Sequence, residues 1–408
     1  MKVLFTTQPG HGHFHPVVPI ARALADAGHE VAFACAARYQ PFIHRAGFIT
    51  FAAGLDWLEA DYRRTFPQLA ELPLHTLQLR FLSDIFAGSA ADAMAKDLLE
   101  ICRTWQPDLL VRTDYEFAAC IVGELQRIPY ATIGIHFGVP LHYWQTVVGT
   151  PIALLRRRFG LPPTHIGRML FRQPYLSCIP REYQFPNLPG PTSIAMQFLP
   201  YEEQVSDGDD TPPWASRDLP NVYVTFGTVF NEVPTLFRDI FEGLRQSAVN
   251  ALVTIGHGRR PEGLPVSPSI HVREYVPLHR VLPACDLVIT HGGLNTVMAA
   301  LRHALPLLVI PLCADQPLHA RRCVDLGVGQ ALYVPGSAFD AFAGPGDRPF
   351  SAEAVGAAVG DLLTEGQYRR RARDMARAIR SAPEPAAVVE RLVAAAGAAM
   401  PASARAGV

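Results

Sequence analysis

The chain predicts an α/β protein made of two open, parallel-sheet halves, and three observations carry that prediction. An apolar strand, a turn, an amphipathic helix and a second strand follow one another at the N-terminus. The same alternation restarts after a Pro- and Asp-rich stretch near residue 207. Within the second half an apolar run, Leu287 to Thr290, ends in the turn His291-Gly292-Gly293 and enters a helix-like segment. Strand, helix and strand at this spacing form a βαβ unit, whose strands lie parallel.

The elements follow in order. Val3 to Thr7 reads as a strand, Gln8 to His15 as a Gly-rich turn, and a helix begins near Pro16, a residue tolerated in a first helical turn. Gly28-His29 ends it, and Glu30 to Ala36 reads as the next strand. A second unit runs from Pro107 to Val111, through a helix from about Glu116 to Gln126, to Tyr130 to Ile135. Between Leu55 and Ala90, and between Phe137 and Tyr175, periodicity weakens and aromatics accumulate, which reads as elaboration at the sheet edge. After the linker come strands at Val222 to Phe226, Ala251 to Ile255, Ile270 to Val272, Leu287 to Thr290 and Leu307 to Ile310. A helix follows from Ala352 to Ile379, and Pro383-Glu384-Pro385 breaks it before a final Ala-rich helix. The boundaries are 1–206 for the first half, 207–217 for the linker, 218–380 for the second half and 381–408 for the last helix. Ligands of open parallel sheets bind at the carboxyl-end loops, so the two halves are expected to face a cleft.

Composition narrows the function. In 408 residues, 49% hydrophobic and 18% charged content supplies ample core and argues against disorder. A net charge of -1 makes no electrostatic case for nucleic acid or an acidic membrane surface. No apolar run reaches the ~18 residues of a membrane span, and the N-terminus lacks a signal-peptide pattern. Seven scattered cysteines without a C-x-x-C pair read as reduced core residues, and a cytoplasmic location is expected.

The turn at 291–296 proposes a ligand. Backbone N–H groups and the positive end of a helix dipole face an anion there, and Asn295 and Thr296 add donors, which suits a nucleotide diphosphate. Thr228, at the end of the first strand of the second half, could join them. Asp315-Gln316 follows the strand at 307–310 and could bond vicinal hydroxyls of a sugar. In the first half, His11-Gly12-His13 admits three readings: a metal site, structural turn histidines, or a general base after the first strand. A base works better with a carboxylate that fixes its tautomer, and Asp114 is the candidate; the bland alternative is a helix N-cap. Gly10-His11-Gly12 completes no G-x-G-x-x-G, so a nicotinamide site is not supported. Asp207-Gly208-Asp209 reads as solvated linker.

Three runs carry a resemblance: Tyr275 to Pro283, His291 to Thr296, and Leu308 to Gln316. They resemble the donor signature of family 1 glycosyltransferases, and Gly12-His13-Phe14-His15-Pro16 is similar to that family's opening motif. The flavour is that of actinobacterial enzymes acting on polyketide, macrolide or enediyne aglycones. The resemblance implies the GT-B fold, with the last helix crossing back to the first domain, and an inverting, metal-independent hexosyltransferase without a cofactor beyond its nucleotide-sugar co-substrate. His13 would be the base and Asp114 its partner. Thr228, His291, Gly292, Gly293, Asn295 and Thr296 would hold the diphosphate, Tyr275 and Val276 the nucleobase, and Asp315 and Gln316 the sugar. Trp57, Phe81, Phe86, Phe137, Tyr143 and Trp144 are candidates to line a pocket for a hydrophobic acceptor.

Two departures stand out. Ala299 replaces a Glu that bonds ribose hydroxyls in many plant members, which points to a dTDP-sugar donor; the sugar it carries is expected to be a deoxysugar. His319 stands where an Asn is usual. The expected partners are therefore a sugar donor and an aglycone in antibiotic biosynthesis, with no nucleic acid or membrane insertion and a homodimer left open. The alternatives are a UDP-sugar transferase of the same fold, a sugar-nucleotide epimerase, a lipid-sugar transferase, or a non-catalytic relative that activates a partner enzyme.

Overall fold

The computed structural model describes residues 1–69, 71–137, 140–186, 193–201, 214–215, 218–227, 234–256, 267–337, 343–344 and 347–399. The chain divides into two compact units, Met1–Tyr201 with Ser381–Val408, and Glu202–Arg380.

The first unit holds a seven-stranded sheet of β1 (Lys2–Thr6), β2 (Glu30–Cys35), β3 (Ile49–Ala52), β4 (Leu109–Thr113), β5 (Tyr130–Gly134), β6 (Tyr175–Ser177) and β7 (Ile194–Ala195). Their spatial order is β3-β2-β1-β4-β5-β6-β7, and all neighbours run parallel. Strands β1, β4 and β5 are apolar on both faces because helices cover both; Val3, Leu4, Val111 and Ile133 are fully buried. Phe5 stacks on Phe33 at 4.9 Å between β1 and β2. The order reverses between β1 and β4, so the loops after these two strands open at a topological switch point.

The final helix, Pro385–Ala399, packs against Val18–Asp26 within this unit. Val388, Val389 and Leu392 are its buried anchors, each stabilising by about 1.5–3 kcal/mol through removal from water. The Gln197 N–H donates to the Pro383 carbonyl at 2.7 Å, fixing where that helix begins.

The second unit repeats the architecture with β8 (Asn221–Thr225), β9 (Asn250–Thr254), β10 (Ile270–Arg273), β11 (Leu287–Thr290), β12 (Leu307–Val309), β13 (Gly329–Tyr333) and β14 (Arg348–Pro349). The order is β10-β9-β8-β11-β12-β13-β14, again all parallel. Its core gathers Val222, Val224, Ile289 and Leu308 from the sheet with Phe241 and Val355 from helices. The switch point lies between β8 and β11.

Three local expectations change. The segment 137–175 is not irregular: it contains an 18-residue helix, Leu141–Arg158, with Pro151 inside it. That proline and the aromatic N-terminal turn blur the 3.6-residue period. The helix expected over 352–379 is two helices, Ala352–Thr364 and Gly366–Ser381. Phe81–Ala90 forms a π-helical stretch that breaks at Gly88. All seven cysteines are buried and none is joined in a disulfide, and burial pushes the thiols of Cys35, Cys102 and Cys178 up to about 12. Most of the linker at 207–217, including Asp207-Gly208-Asp209, lies outside the described residues. Among the described residues, no helix is long and apolar enough to cross a membrane.

Candidate active site

The first unit's site is built from the loops after β1 and β4. The chain leaves β1 through Gln8-Pro9-Gly10 and turns into His11–Phe14. The Gln8 amide donates to the Tyr115 carbonyl at 2.9 Å, which ties this loop to the one after β4. His13 is 6% exposed, and its Nε2 lies 3.6 Å from Glu59 Oε1. Glu59 was not anticipated. It arrives because its N–H donates to the Pro9 carbonyl at 3.0 Å. A Cβ at Gly10 would lie 1.9 Å from Glu59 Oε2, so a side chain there would push that carboxylate away from its place beside His13. No local signal in the sequence links position 59 to position 13.

The three loop histidines differ in environment. His11 contacts the Tyr39 hydroxyl at 3.1 Å. Burial, then the charge of His11, lowers the His15 pKa to about 3, so that ring stays neutral and serves packing. His13 has an ion-pair contact with the Glu59 carboxylate. Its Nδ1 is buried without a hydrogen-bond partner, which leaves Nε2 as the nitrogen an acceptor can reach.

Asp114 follows β4 and is 2% exposed. Its Oδ2 accepts from the Ile135 N–H at 3.1 Å and the Tyr175 hydroxyl at 3.2 Å. His136 Nε2 sits 3.0 Å from the same oxygen, without alignment for a hydrogen bond. Burial, and then the charge of Asp114, raise the Tyr175 pKa well above its ordinary value, so its hydroxyl remains a donor. The direct His13–Asp114 hydrogen bond expected from sequence is not formed. The groups at the ends of β5 and β6 collect one carboxylate oxygen, while Oδ1 is buried and lacks a partner, as does His13 Nδ1. The N-cap alternative for Asp114 also falls. Glu116 takes that role, accepting from the Ala118 and Ala119 N–H groups at 2.7 and 3.1 Å and from the Thr6 hydroxyl at 2.7 Å.

Aromatic rings surround this pair of loops. His13 packs edge-on against Phe86 at 5.6 Å and Tyr115 at 5.5 Å. Phe86 continues to Trp57 and Phe81, and Tyr115 to Trp144 and His136. Four of the six aromatic candidates, Trp57, Phe81, Phe86 and Trp144, thus join one ring network around His13. Tyr143 meets its edge through Trp144 at 6.3 Å. Phe137 turns to Tyr183, stacking at 5.4 Å, and to Phe185. Except for half-buried Tyr143, all six are buried, so they act as walls rather than as exposed contacts.

The second unit's site forms at its own switch point. The turn at Gly292 has φ +94°, and a Cβ there would meet Val309 Cγ1 at 2.8 Å. The Gly292 N–H donates to the Thr290 hydroxyl at 3.3 Å. A Cβ at Gly227 or Gly293 would come within 3.0 Å of the His291 ring, so the imidazole is held between two bare backbones. Its surroundings lower the His291 pKa to about 4, chiefly by burial, opposed by the Thr225 backbone and Asp315. His291 is therefore a neutral hydrogen-bonding ring at pH 7. The helix Leu294–Arg302 starts behind Gly293 with no side-chain cap, leaving first-turn N–H groups for an anion. Asn295 Oδ1 is buried without a partner, and Thr296 is half-buried beside it. Thr228 lies outside the described residues.

The remaining donor-site candidates separate. Tyr275 is 39% exposed, able to offer a ring face, while Val276 is buried and offers backbone only. Asp315 keeps a partly exposed carboxylate. Gln316 departs from its expected role: its Oε1 accepts from the Leu312 and Cys313 N–H groups at 2.8 and 2.9 Å. Its side chain clamps the loop after β12 instead of pointing outward. Ala299 is fully buried. No three His, Cys, Asp or Glu residues gather as a metal site among the described residues.

Gly292→Ala tests the turn. Substitution at φ +94° against Val309 is expected to destabilise the second unit by about 1–3 kcal/mol, measured by thermal unfolding.

Two parallel-sheet units with carboxyl-edge loops of this kind define the GT-B fold. Solved structures agree: the glycosyltransferase SnogD from Streptomyces nogalater matches with a TM-score of 0.76 at 22% identity, over 97% of this chain and 99% of that one. The glycosyltransferase VinC in complex with dTDP matches with a TM-score of 0.77 at 22% identity, over 98% and 100%. The family model for the C-terminal domain of erythromycin biosynthesis protein CIII-like proteins matches residues 241–395. 4'-Demethylrebeccamycin synthase of Lentzea aerocolonigenes is 28% identical over 81% of this chain and 87% of its own length. TDP-daunosamine transferase DnrS of Streptomyces peucetius is 26% identical over 96% of each. The chain is a glycosyltransferase similar to these actinobacterial antibiotic-pathway enzymes.

Proposed function

We propose that the enzyme transfers a deoxysugar, with inversion, from a dTDP-sugar to a hydroxyl of a hydrophobic natural-product aglycone. The observation that carries this reading is His13: a buried imidazole with its reachable nitrogen beside a carboxylate, ringed by aromatic walls, at the carboxyl edge of the first sheet. In the proposed step the acceptor O–H gives its proton to His13 Nε2. Its oxygen bonds to the anomeric carbon as the bond to the diphosphate breaks, and the electron pair leaves on the diphosphate. A hydrogen bond from His13 Nδ1–H to Asp114 Oδ1 during the reaction would satisfy both orphaned atoms and stabilise the imidazolium. Glu59, 3.6 Å from His13 Nε2, is assigned to a second polar group of the acceptor. The leaving charge falls to the first-turn N–H groups at 294–296, to Asn295 and Thr296, and to neutral His291. The reading thus assigns leaving-group stabilisation to protein donors and needs no cation.

The dTDP preference is supported by the sequence position of Ala299, which offers no polar group to a ribose 2'-hydroxyl, and by the bound dTDP and TDP-sugar in the names of the relatives. Calorimetry of the purified protein with dTDP and UDP tests it. Binding of dTDP at least as tight as UDP is expected; clearly tighter UDP binding would return the UDP-sugar alternative. Turnover in a donor-by-aglycone mass-spectrometry screen separates an enzyme from a non-catalytic auxiliary relative.

A further inference from the structure

We propose that Arg112, with Gln8, is a positioning residue for sugar transfer: the two side chains hold the backbone of the loop after β4 and so set where Asp114 and Tyr115 stand beside His13. The inference rests on the reading of Asp114 as the partner of His13.

Four successive carbonyls of that loop, Thr113 to Glu116, are each taken by one of these two side chains. Arg112 Nη1 donates to the Thr113 carbonyl at 3.2 Å, to the Asp114 carbonyl at 3.3 Å and to the Glu116 carbonyl. The remaining carbonyl, of Tyr115, accepts from the Gln8 amide at 2.9 Å. The guanidinium is anchored on its other sides too. Arg112 stands opposite Thr132 of β5, whose hydroxyl accepts from Nε at 3.1 Å. Nη2 donates to the Leu170 carbonyl at 3.3 Å, at the end of the helix Ile166–Leu170. A rigid fork of five donors suits this spread of a strand hydroxyl, a helix end and three loop carbonyls.

Arg112 is 1% exposed, and none of these partners is a carboxylate. A buried guanidinium bonded only to neutral oxygens is a costly brace for an ordinary turn. The residues it braces are those of the candidate site. Asp114 brings a buried carboxylate to this edge of the sheet, and the Tyr115 ring packs edge-on against His13 at 5.5 Å. Glu116 closes the turn, its N–H donating to the Thr113 carbonyl at 3.0 Å while its carboxylate caps the next helix. With every carbonyl from 113 to 116 held, the loop cannot shift Asp114 without breaking bonds to Arg112 or Gln8.

The test is a kinetic cycle run with the donor–aglycone pair of highest turnover in the mass-spectrometry screen. kcat and thermal unfolding are measured for the wild type, Arg112→Lys, Asp114→Asn and the double variant. Lysine keeps the charge but brings a single ammonium where three nitrogens now bond, so kcat is expected to fall about 10–10²-fold, with dTDP affinity within about twofold of wild type. Asp114→Asn alone is expected to lower kcat by about 10²–10⁴-fold. Because Arg112 acts through Asp114, adding Arg112→Lys to Asp114→Asn is expected to lower kcat by no more than about threefold further. A brace that served stability alone would lower Tm in both backgrounds and leave kcat of the folded proteins unmoved. Should Arg112→Lys not fold, Gln8→Leu, which removes the bond to the Tyr115 carbonyl, takes its place in the cycle with a loss of about tenfold expected. A kcat within about twofold of wild type in the folded variant, or an undiminished loss in the Asp114→Asn background, overturns the inference while the reading of Asp114 stands. A wild-type kcat in Asp114→Asn overturns that reading. A protein that turns over no pair overturns the inference together with the proposed transfer.

Discussion

Replacing His13 with alanine is expected to lower kcat by about 10²–10⁴-fold, the usual worth of a positioned base, while dTDP affinity stays within about twofold. The split follows from where the groups sit. His13 belongs to the first unit, on the turn after β1, whereas the proposed diphosphate donors at 291–296 belong to the second. The substitution removes a buried ring that packs on Phe86 and Tyr115, so thermal unfolding is measured alongside to separate a lost base from a loosened wall. A kcat near wild type in a folded variant removes His13 from the mechanism, and Glu59 becomes the base to test.

Replacing Asp114 is expected to have a different signature depending on the residue installed. Alanine leaves the Tyr175 hydroxyl, the Ile135 N–H and His136 around an empty site that is 2% exposed in the native protein. Leaving a buried donor unpaired costs about 1–3 kcal/mol, which lowers Tm by roughly 2–12 °C for a unit of this size. Asparagine keeps the shape and one carbonyl acceptor, so much of that stability is expected to return. It cannot supply the negative charge that holds an imidazolium, so kcat is expected to stay about 10²–10⁴-fold down. Recovered stability with unrecovered turnover identifies Asp114 as part of the reaction. Recovery of both makes it a packing residue that organises the ends of β5 and β6.

The strands were legible because each is a short, locally encoded pattern. Leu109 to Val111 and Leu287 to Ile289 are apolar on both faces, as parallel strands under two helix layers must be, and Gly and Pro mark their ends. The same kind of signal placed the His-Gly-Gly turn at a strand end. Leu141–Arg158 was missed because Pro151 and its aromatic first turns obscure the helical period. Asp114 was half legible: its strand and its edge followed from the pattern, but its partners did not.

By itself, the amino-acid sequence determined two parallel α/β units, the carboxyl edges that carry chemistry, and the residue types on them: His13 and Asp114 on one, His291 to Thr296 and Asp315 on the other. The tertiary structure decided whom each side chain meets. It brought Glu59 to His13 over bare Gly10, gave Asp114 to Tyr175, Ile135 and His136, handed the helix cap to Glu116, and turned Gln316 inward. The physical reason is one of range. Backbone periodicity and turn chemistry are settled within a few residues, whereas a buried polar atom takes whatever partner the packing of distant segments delivers within about 3 Å.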